Sequence, residues 1–130
     1  MLGIIVVSHS EKVAEGVKDI AEQMNSGQVL IRAAGGAEDG RIGTNPVKIK
    51  EAIEEAKVAD NILVFVDIGS AVMGTETAID MLEKSIREKV KIVDAPLVEG
   101  VLAAVIQASV EQDIEGVINT AIESKNMCKL

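Results

Sequence analysis

The chain has 130 residues, 48% of them apolar, and a formal net charge of −8. That length is one domain with a sizeable core, and the negative charge opposes nucleic acid and anionic membrane surfaces as partners. One Phe, no Trp and no Tyr leave no aromatic platforms for stacking bases, so the core must be built from Ile, Val, Leu, Ala and Met.

Cys128 is the only cysteine, which rules out an intramolecular disulfide and fits a reducing cytoplasm. One His and one Cys cannot build a standard zinc site, so no metal is expected. Met1 to Val7 is apolar but lacks a basic leader, and Ser8-His9-Ser10 follows it without a cleavage pattern. The expectation is a first strand over Leu2 to Val7 in a soluble cytoplasmic protein, since no apolar stretch is long enough to span a bilayer.

A helix follows that strand. Val13, Val17, Ile20, Ala21 and Met24 recur at helical spacing, Ser10 suits the N-cap, and Glu11 falls favourably in the first turn. Asn25-Ser26-Gly27 ends it, and Gln28 to Ala34 reads as a second strand. The glycine-rich loop from Gly35 to Thr44 is longer than a simple connection needs. Asn45 caps the second helix with Pro46 at its first position, and Ile49, Ala52, Ile53 and Ala56 form its apolar face.

Asn61 to Val66 is the third strand, ended by Asp67-Ile68-Gly69-Ser70. One helix is expected next, with Ala78, Ile79, Leu82 and Ile86 inward. Val90 to Val93 makes a short fourth strand. From Leu97 to about Ser124 the pattern gives two helices with a break near Ser109 to Asp113, and Lys125 to Leu130 is expected to fray. Strand–helix alternation of this kind gives right-handed βαβ units. The predicted fold is α/β: a doubly wound, mainly parallel open sheet with helices on both faces, in a single domain over residues 1–130.

His9 is the only histidine and stands just beyond the carboxyl end of the first strand, where open α/β sheets place their ligands. Imidazole can act as base, nucleophile or metal ligand near neutral pH. A phosphoryl group on it would carry roughly two negative charges, which the free amides of the following helix can receive. Asp67 ends the third strand. With strand order 2-1-3-4 it neighbours His9, where it can fix the tautomer and leave one lone pair free to attack; as a lone residue it would be read only as a turn-former.

Gly36 and Gly69 sit in loops whose amides can approach an anion closely. Neither loop matches a P-loop or a dinucleotide fingerprint. Thr44 is placed equally well to donate to a phosphoryl oxygen or to serve helix entry. Arg41 is read as solvated and Glu99 as a charge favourable to its helix dipole. A receiver-type phosphoaspartate at Asp67 would need an acidic pair after the first strand to hold Mg²⁺, and the chain has Ser8-His9-Ser10 there.

Val6-Val7-Ser8-His9-Ser10, Ile42-Gly43-Thr44, Val66-Asp67-Ile68-Gly69-Ser70-Ala71 and Ala95-Pro96-Leu97-Val98-Glu99-Gly100 occur in that order. Together they resemble the phosphotransferase subunits of PTS-dependent dihydroxyacetone kinases, relatives of the mannose-type IIA domains of the phosphoenolpyruvate:sugar phosphotransferase system. The resemblance runs from the first strand to the last helices. It implies a four-stranded parallel core, a homodimer, and phosphorylation on Nε2 of His9, with Asp67 orienting the ring. Ser10, Gly36, Thr44, Gly69 and Ser70 are expected to receive the phosphoryl group.

The same resemblance implies a donor, phospho-HPr charged by enzyme I, and an acceptor, ADP bound on a nucleotide-binding kinase subunit. A third subunit would hold dihydroxyacetone, so ADP and ATP belong to partners and no cofactor is expected on this chain. Some members carry HPr-like and enzyme I-like domains behind this one; a chain of 130 residues is expected to depend on separate proteins for them. Two other functions stay open: a sugar-specific mannose-type IIA domain, and a non-catalytic anion- or partner-binding module. The Ala95 to Gly100 motif and the lack of a IIB extension favour the kinase subunit.

Overall fold

Four apolar runs form one sheet. In the computed structural model, which describes residues 1–111 and 113–130, β1 (Leu2–Ser8) pairs in parallel with β2 (Val29–Gly35) and β3 (Asn61–Val66). Strand β4 (Val90–Val93) adds in parallel to β3, giving the order β2-β1-β3-β4. This is the expected order, and every pairing is parallel. Parallel strands need crossovers and are covered on both faces, so they read as continuous apolar runs without alternation.

The pleat sends alternate side chains to opposite faces. Leu2, Ile4 and Val6 of β1 pack with Phe65, under α1 (Glu11–Met24), α5 (Leu97–Val110) and α6 (Ile114–Glu123). Ile5 and Val7 face the other way, under α2 (Pro46–Glu55) and α3 (Ser70–Asp80). Each fully buried Ile, Val or Leu contributes about 1.5–3 kcal/mol, and β1 is buried along its whole length. The end of β1, and whatever follows it, is thus carried by a strand with no exposed residue.

One expectation changes and two are refined. The single helix expected after Asp67 is two: α3 stops at Asp80, and a short α4 (Lys84–Arg87) follows. The Met81 and Leu82 amides bond three residues back, to Ala78 and Ile79, and Glu83 is extended. This turn lets both Leu82 and Ile86 reach the core while the chain redirects into β4. Along α1 the residues that enter the core are Ala14, Val17 and Ala21, whereas Val13, Ile20 and Met24 are nearly half exposed. The small alanines allow α1 to lie close to the sheet, which turns the larger residues outward. Finally, Ser124–Asn126 forms a short helical turn, and among the exposed residues beyond it Lys129 Nζ meets Glu99 Oε2 of α5 at 2.7 Å.

The break expected near Ser109 to Asp113 falls between Val110 and Ile114; Gln112 lies outside the described residues. Asp113 caps α6 by accepting from the Glu115 amide. No helix among the described residues is long and apolar enough to cross a membrane.

Candidate active site

Parallel register brings the site together. β1 and β3 are paired as far as Val7 and Val66, so one residue further on Ser8 and Asp67 emerge side by side. Asp67 then collects four donors. Its Oδ2 accepts from the Ser8 hydroxyl and from the His9 amide, each at 2.9 Å. Its Oδ1 accepts from the Ile68 amide at 2.8 Å and lies 2.9 Å from His9 Nδ1.

Partial burial pushes the Asp67 carboxyl up, but the donors oppose it. The His9 amide and ring, the Ser8 hydroxyl and the Ile68 amide together hold it below its ordinary value. At neutral pH it is therefore a carboxylate, which can only accept. In the neutral ring the proton between Asp67 and the imidazole therefore resides on His9 Nδ1, and Nε2 keeps its lone pair. Ser70 Oγ is 2.7 Å from Nε2, so its hydroxyl donates to that lone pair. The imidazole is thus held by an acceptor at one nitrogen and a donor at the other, with 21% of its side chain exposed.

Two helices begin beside this ring. Ser10 is the N-cap of α1, its hydroxyl oxygen accepting from the Val13 amide at 3.2 Å, as expected. Gly69 and Ser70 open α3, so that helix directs its positive end to the Nε2 side, where anions are favoured. The glycine loop supports the same corner through its backbone. A Cβ on Gly35 would lie 2.6 Å from the Ser10 carbonyl oxygen and 2.7 Å from Ala14 Cβ, so only glycine lets β2 approach the start of α1. Gly36, at φ +79°, donates its amide to the Ser8 carbonyl at 3.0 Å.

The loop also returns to the site from its far end, where the Gly43 amide donates to the His9 carbonyl at 2.9 Å. Thr44 follows and packs over α3, its Oγ1 only 2.9 Å from where a Cβ on Gly74 would stand. Arg41 is exposed, its carbonyl bonded to the Ala37 amide. Glu99 lies in the first turn of α5, where the hydrogen bond from Lys129 holds its carboxyl below the usual range.

Two clefts border residues next to His9, though His9 itself lines neither. One of about 340 Å³ lies between the ends of β3 and β4, with Asp67, Gly69, Val72 and Asp94 among its walls. The other, about 510 Å³, follows the first turn of α1, with Ser10, Lys12, Glu15 and Ile42 among its walls.

Of the residues expected to act, the structure joins His9, Asp67 and Ser70 by direct hydrogen bonds. It places Ser10 and Gly69 at the flanking helix starts, and Gly36 and Thr44 in the supporting loop. Ser8 was not among those residues. Its apolar run reads as strand, and only the register with β3 shows that its hydroxyl meets Asp67. Chemically, the arrangement is an imidazole held by Asp67 at Nδ1 and by Ser70 at Nε2, beside helix termini that favour anions.

Known proteins place this site in context. Residues 3–118 match the family described as PTS system fructose IIA component. A phosphoryl donor subunit of a PEP-dependent dihydroxyacetone kinase from Listeria innocua is 40% identical over 118 residues, covering 91% of this chain and 94% of that subunit. A subunit of the same description from Klebsiella michiganensis is 46% identical over 127 residues, 95% of this chain, which spans only 27% of that relative's length. Among solved structures, a protein of unknown function is 41% identical with a TM-score of 0.84, over 92% of each chain. A phosphotransferase system EIIA component from Streptococcus agalactiae shares the fold, with a TM-score of 0.67 over 99% of this chain and 97% of its own at 16% identity. With its sheet order, its sequence match across residues 3–118 and a 40% identical relative covered almost end to end, the chain belongs to the PTS system fructose IIA component family, alongside the dihydroxyacetone kinase phosphoryl donor subunits.

Proposed function

We propose that this chain is a phosphocarrier of a dihydroxyacetone kinase. Phospho-HPr presents its phosphoryl group to His9, and the Nε2 lone pair attacks phosphorus in line while the bond to the donor nitrogen breaks. A terminal phosphate oxygen of ADP, held by a nucleotide-binding partner subunit, then attacks the same phosphorus. The bond to Nε2 breaks, ATP forms, and His9 returns to its starting state. The ATP so formed phosphorylates dihydroxyacetone on a third subunit. On this reading the chain works in the cytoplasm as a homodimer and binds no cofactor of its own.

One observation carries the proposal: Nδ1 is committed to an ionised Asp67, so the nitrogen that faces Ser70 is the nucleophile. Phosphoryl transfer asks little of a protein beyond in-line positioning and charge stabilisation. Asp67 supplies orientation. Ser70 gives up its bond to the Nε2 lone pair as phosphorus arrives and then donates to a phosphoryl oxygen, and the amides opening α1 and α3 at Ser10 and Gly69 favour the new charge. Gly36 and Thr44 hold the loop that borders the phosphoryl group.

The test is reconstitution with phosphoenolpyruvate, enzyme I and HPr, followed by intact mass and peptide mapping. One acid-labile phosphoryl group on His9 is expected, and none on His9→Ala. A labelled His9→Ala protein, or an unlabelled wild type with both carriers active, overturns the reading. Discharge to ADP with the other kinase subunits separates it from a sugar-transporter IIA domain.

A further inference from the structure

Ser8 is 1% exposed, and its hydroxyl has two partners. It donates to Asp67 Oδ2 at 2.9 Å and accepts from the Ser10 amide at 3.0 Å. Neither bond touches the imidazole, yet both end on groups that set its position. The carboxylate torsion of an aspartate is broad and roughly two-fold, so contacts through Oδ1 alone would leave its plane loosely defined. Bonds from Ser8 and the His9 amide to Oδ2 remove that freedom and aim the second oxygen at Nδ1. On its other side, Ser8 grips the residue that caps α1, so one hydroxyl links the carboxylate to the turn carrying His9.

From these two contacts we propose that Ser8 is a positioning residue acting through Asp67: its hydroxyl holds the carboxylate where it keeps the proton on His9 Nδ1 and the lone pair on Nε2. The effect on transfer rests on the phosphocarrier reading, whereas the effect on the tautomer does not. Ser8 is well suited to this. A buried hydroxyl can donate and accept at once, whereas a threonine, with its added methyl, would have to fit a site already closed to solvent. Removing the hydroxyl leaves the Ser10 amide without its acceptor and Asp67 with one donor fewer.

The experiment is nitrogen-resolved NMR of the His9 ring in wild type, Ser8→Ala and Ser8→Cys, with unfolding curves to establish that each is folded. Wild type is expected to hold the Nδ1–H tautomer. Ser8→Ala is expected to show both tautomers, with the Asp67 carboxyl titrating closer to its ordinary 3.8. Ser8→Cys keeps the side-chain shape with a weak donor and shows the same mixing, so it decides the matter if alanine does not fold. In transfer from phospho-HPr, kcat falls about tenfold with KM for the carrier unchanged.

A folded Ser8→Ala or Ser8→Cys protein with the wild-type tautomer and carboxyl titration overturns the proposal. The ring spectra need no phosphoryl donor, so a wild type that accepts no phosphoryl group overturns the phosphocarrier reading while the spectra still decide on Ser8.

Discussion

The two nitrogens of His9 meet groups of opposite character, a carboxylate oxygen at Nδ1 and a hydroxyl at Nε2, and substitutions at the two partners should therefore differ in kind. Asp67 uses both oxygens as acceptors, each for a backbone amide and a side-chain donor. An asparagine has one carbonyl oxygen. Whichever way it is turned, the His9 or the Ile68 amide loses its acceptor, at a cost of about 1–3 kcal/mol. Turned with its NH₂ toward the ring, it also demands an acceptor at Nδ1, which moves the proton to Nε2 and takes away the lone pair that the proposed transfer needs. Asp67→Asn is expected to keep the fold, lose that much stability in urea unfolding, and accept phosphoryl groups about a hundredfold more slowly. Unchanged rates would remove Asp67 from the mechanism. Ser70→Ala removes a donor from Nε2 without altering the tautomer, so it should still be phosphorylated on His9. Its phosphoryl group should be lost faster, measured as the half-life of the labelled protein.

At the scale of elements, the junction of β1, α1 and β2 sets how closely a helix start can approach the His9 ring. Gly35 stands where a Cβ would strike backbone, 2.6 Å from the Ser10 carbonyl oxygen and 2.8 Å from Glu11 Cα, and neither can swing aside. Gly35→Ala should cost about 1–3 kcal/mol by overpacking and, by displacing the start of α1, slow phosphorylation as well. Gly16, a residue of α1 itself with nothing within 4 Å of its added Cβ, is the control. Gly16→Ala lies inside the helix and should gain about 0.5–1 kcal/mol. Urea midpoints for the two variants should move in opposite directions. The same junction shows what helical spacing leaves open in α1. Spacing identifies an apolar stripe but not how near the helix lies to its sheet, and Ala14 and Ala21 bring α1 so close that Val13, Ile20 and Met24 are left at the rim. Likewise the helical spacing through Leu82 and Ile86 continues across a turn, because both residues need only reach the core, by whatever path.

For the molecule as a whole, the topology was legible because buried parallel strands are unbroken apolar runs, and strand order 2-1-3-4 makes neighbours of the ends of β1 and β3. His9 and Asp67 could be paired from that order alone. The Ser8 contact could not, since it depends on a register accurate to one residue between segments 59 apart in sequence. Nor could the bond from Ser70, which depends on the angle at which α3 leaves the sheet. This long-range pairing also ties global stability to one carboxyl. Asp67 titrates below its ordinary 3.8 in the folded chain, so as pH falls the unfolded state takes up the proton first. The stability it contributes is complete above that ordinary value and is lost as pH falls through it toward the folded-state value. Urea unfolding measured from pH 7 down to about pH 3 should therefore show wild type losing stability at the acid end. Asp67→Asn starts lower but has no such group to protonate, so its stability should fall less over the same range. Equal acid losses in the two proteins would mean that other carboxyls, not the one joining β1 to β3, govern the acid response.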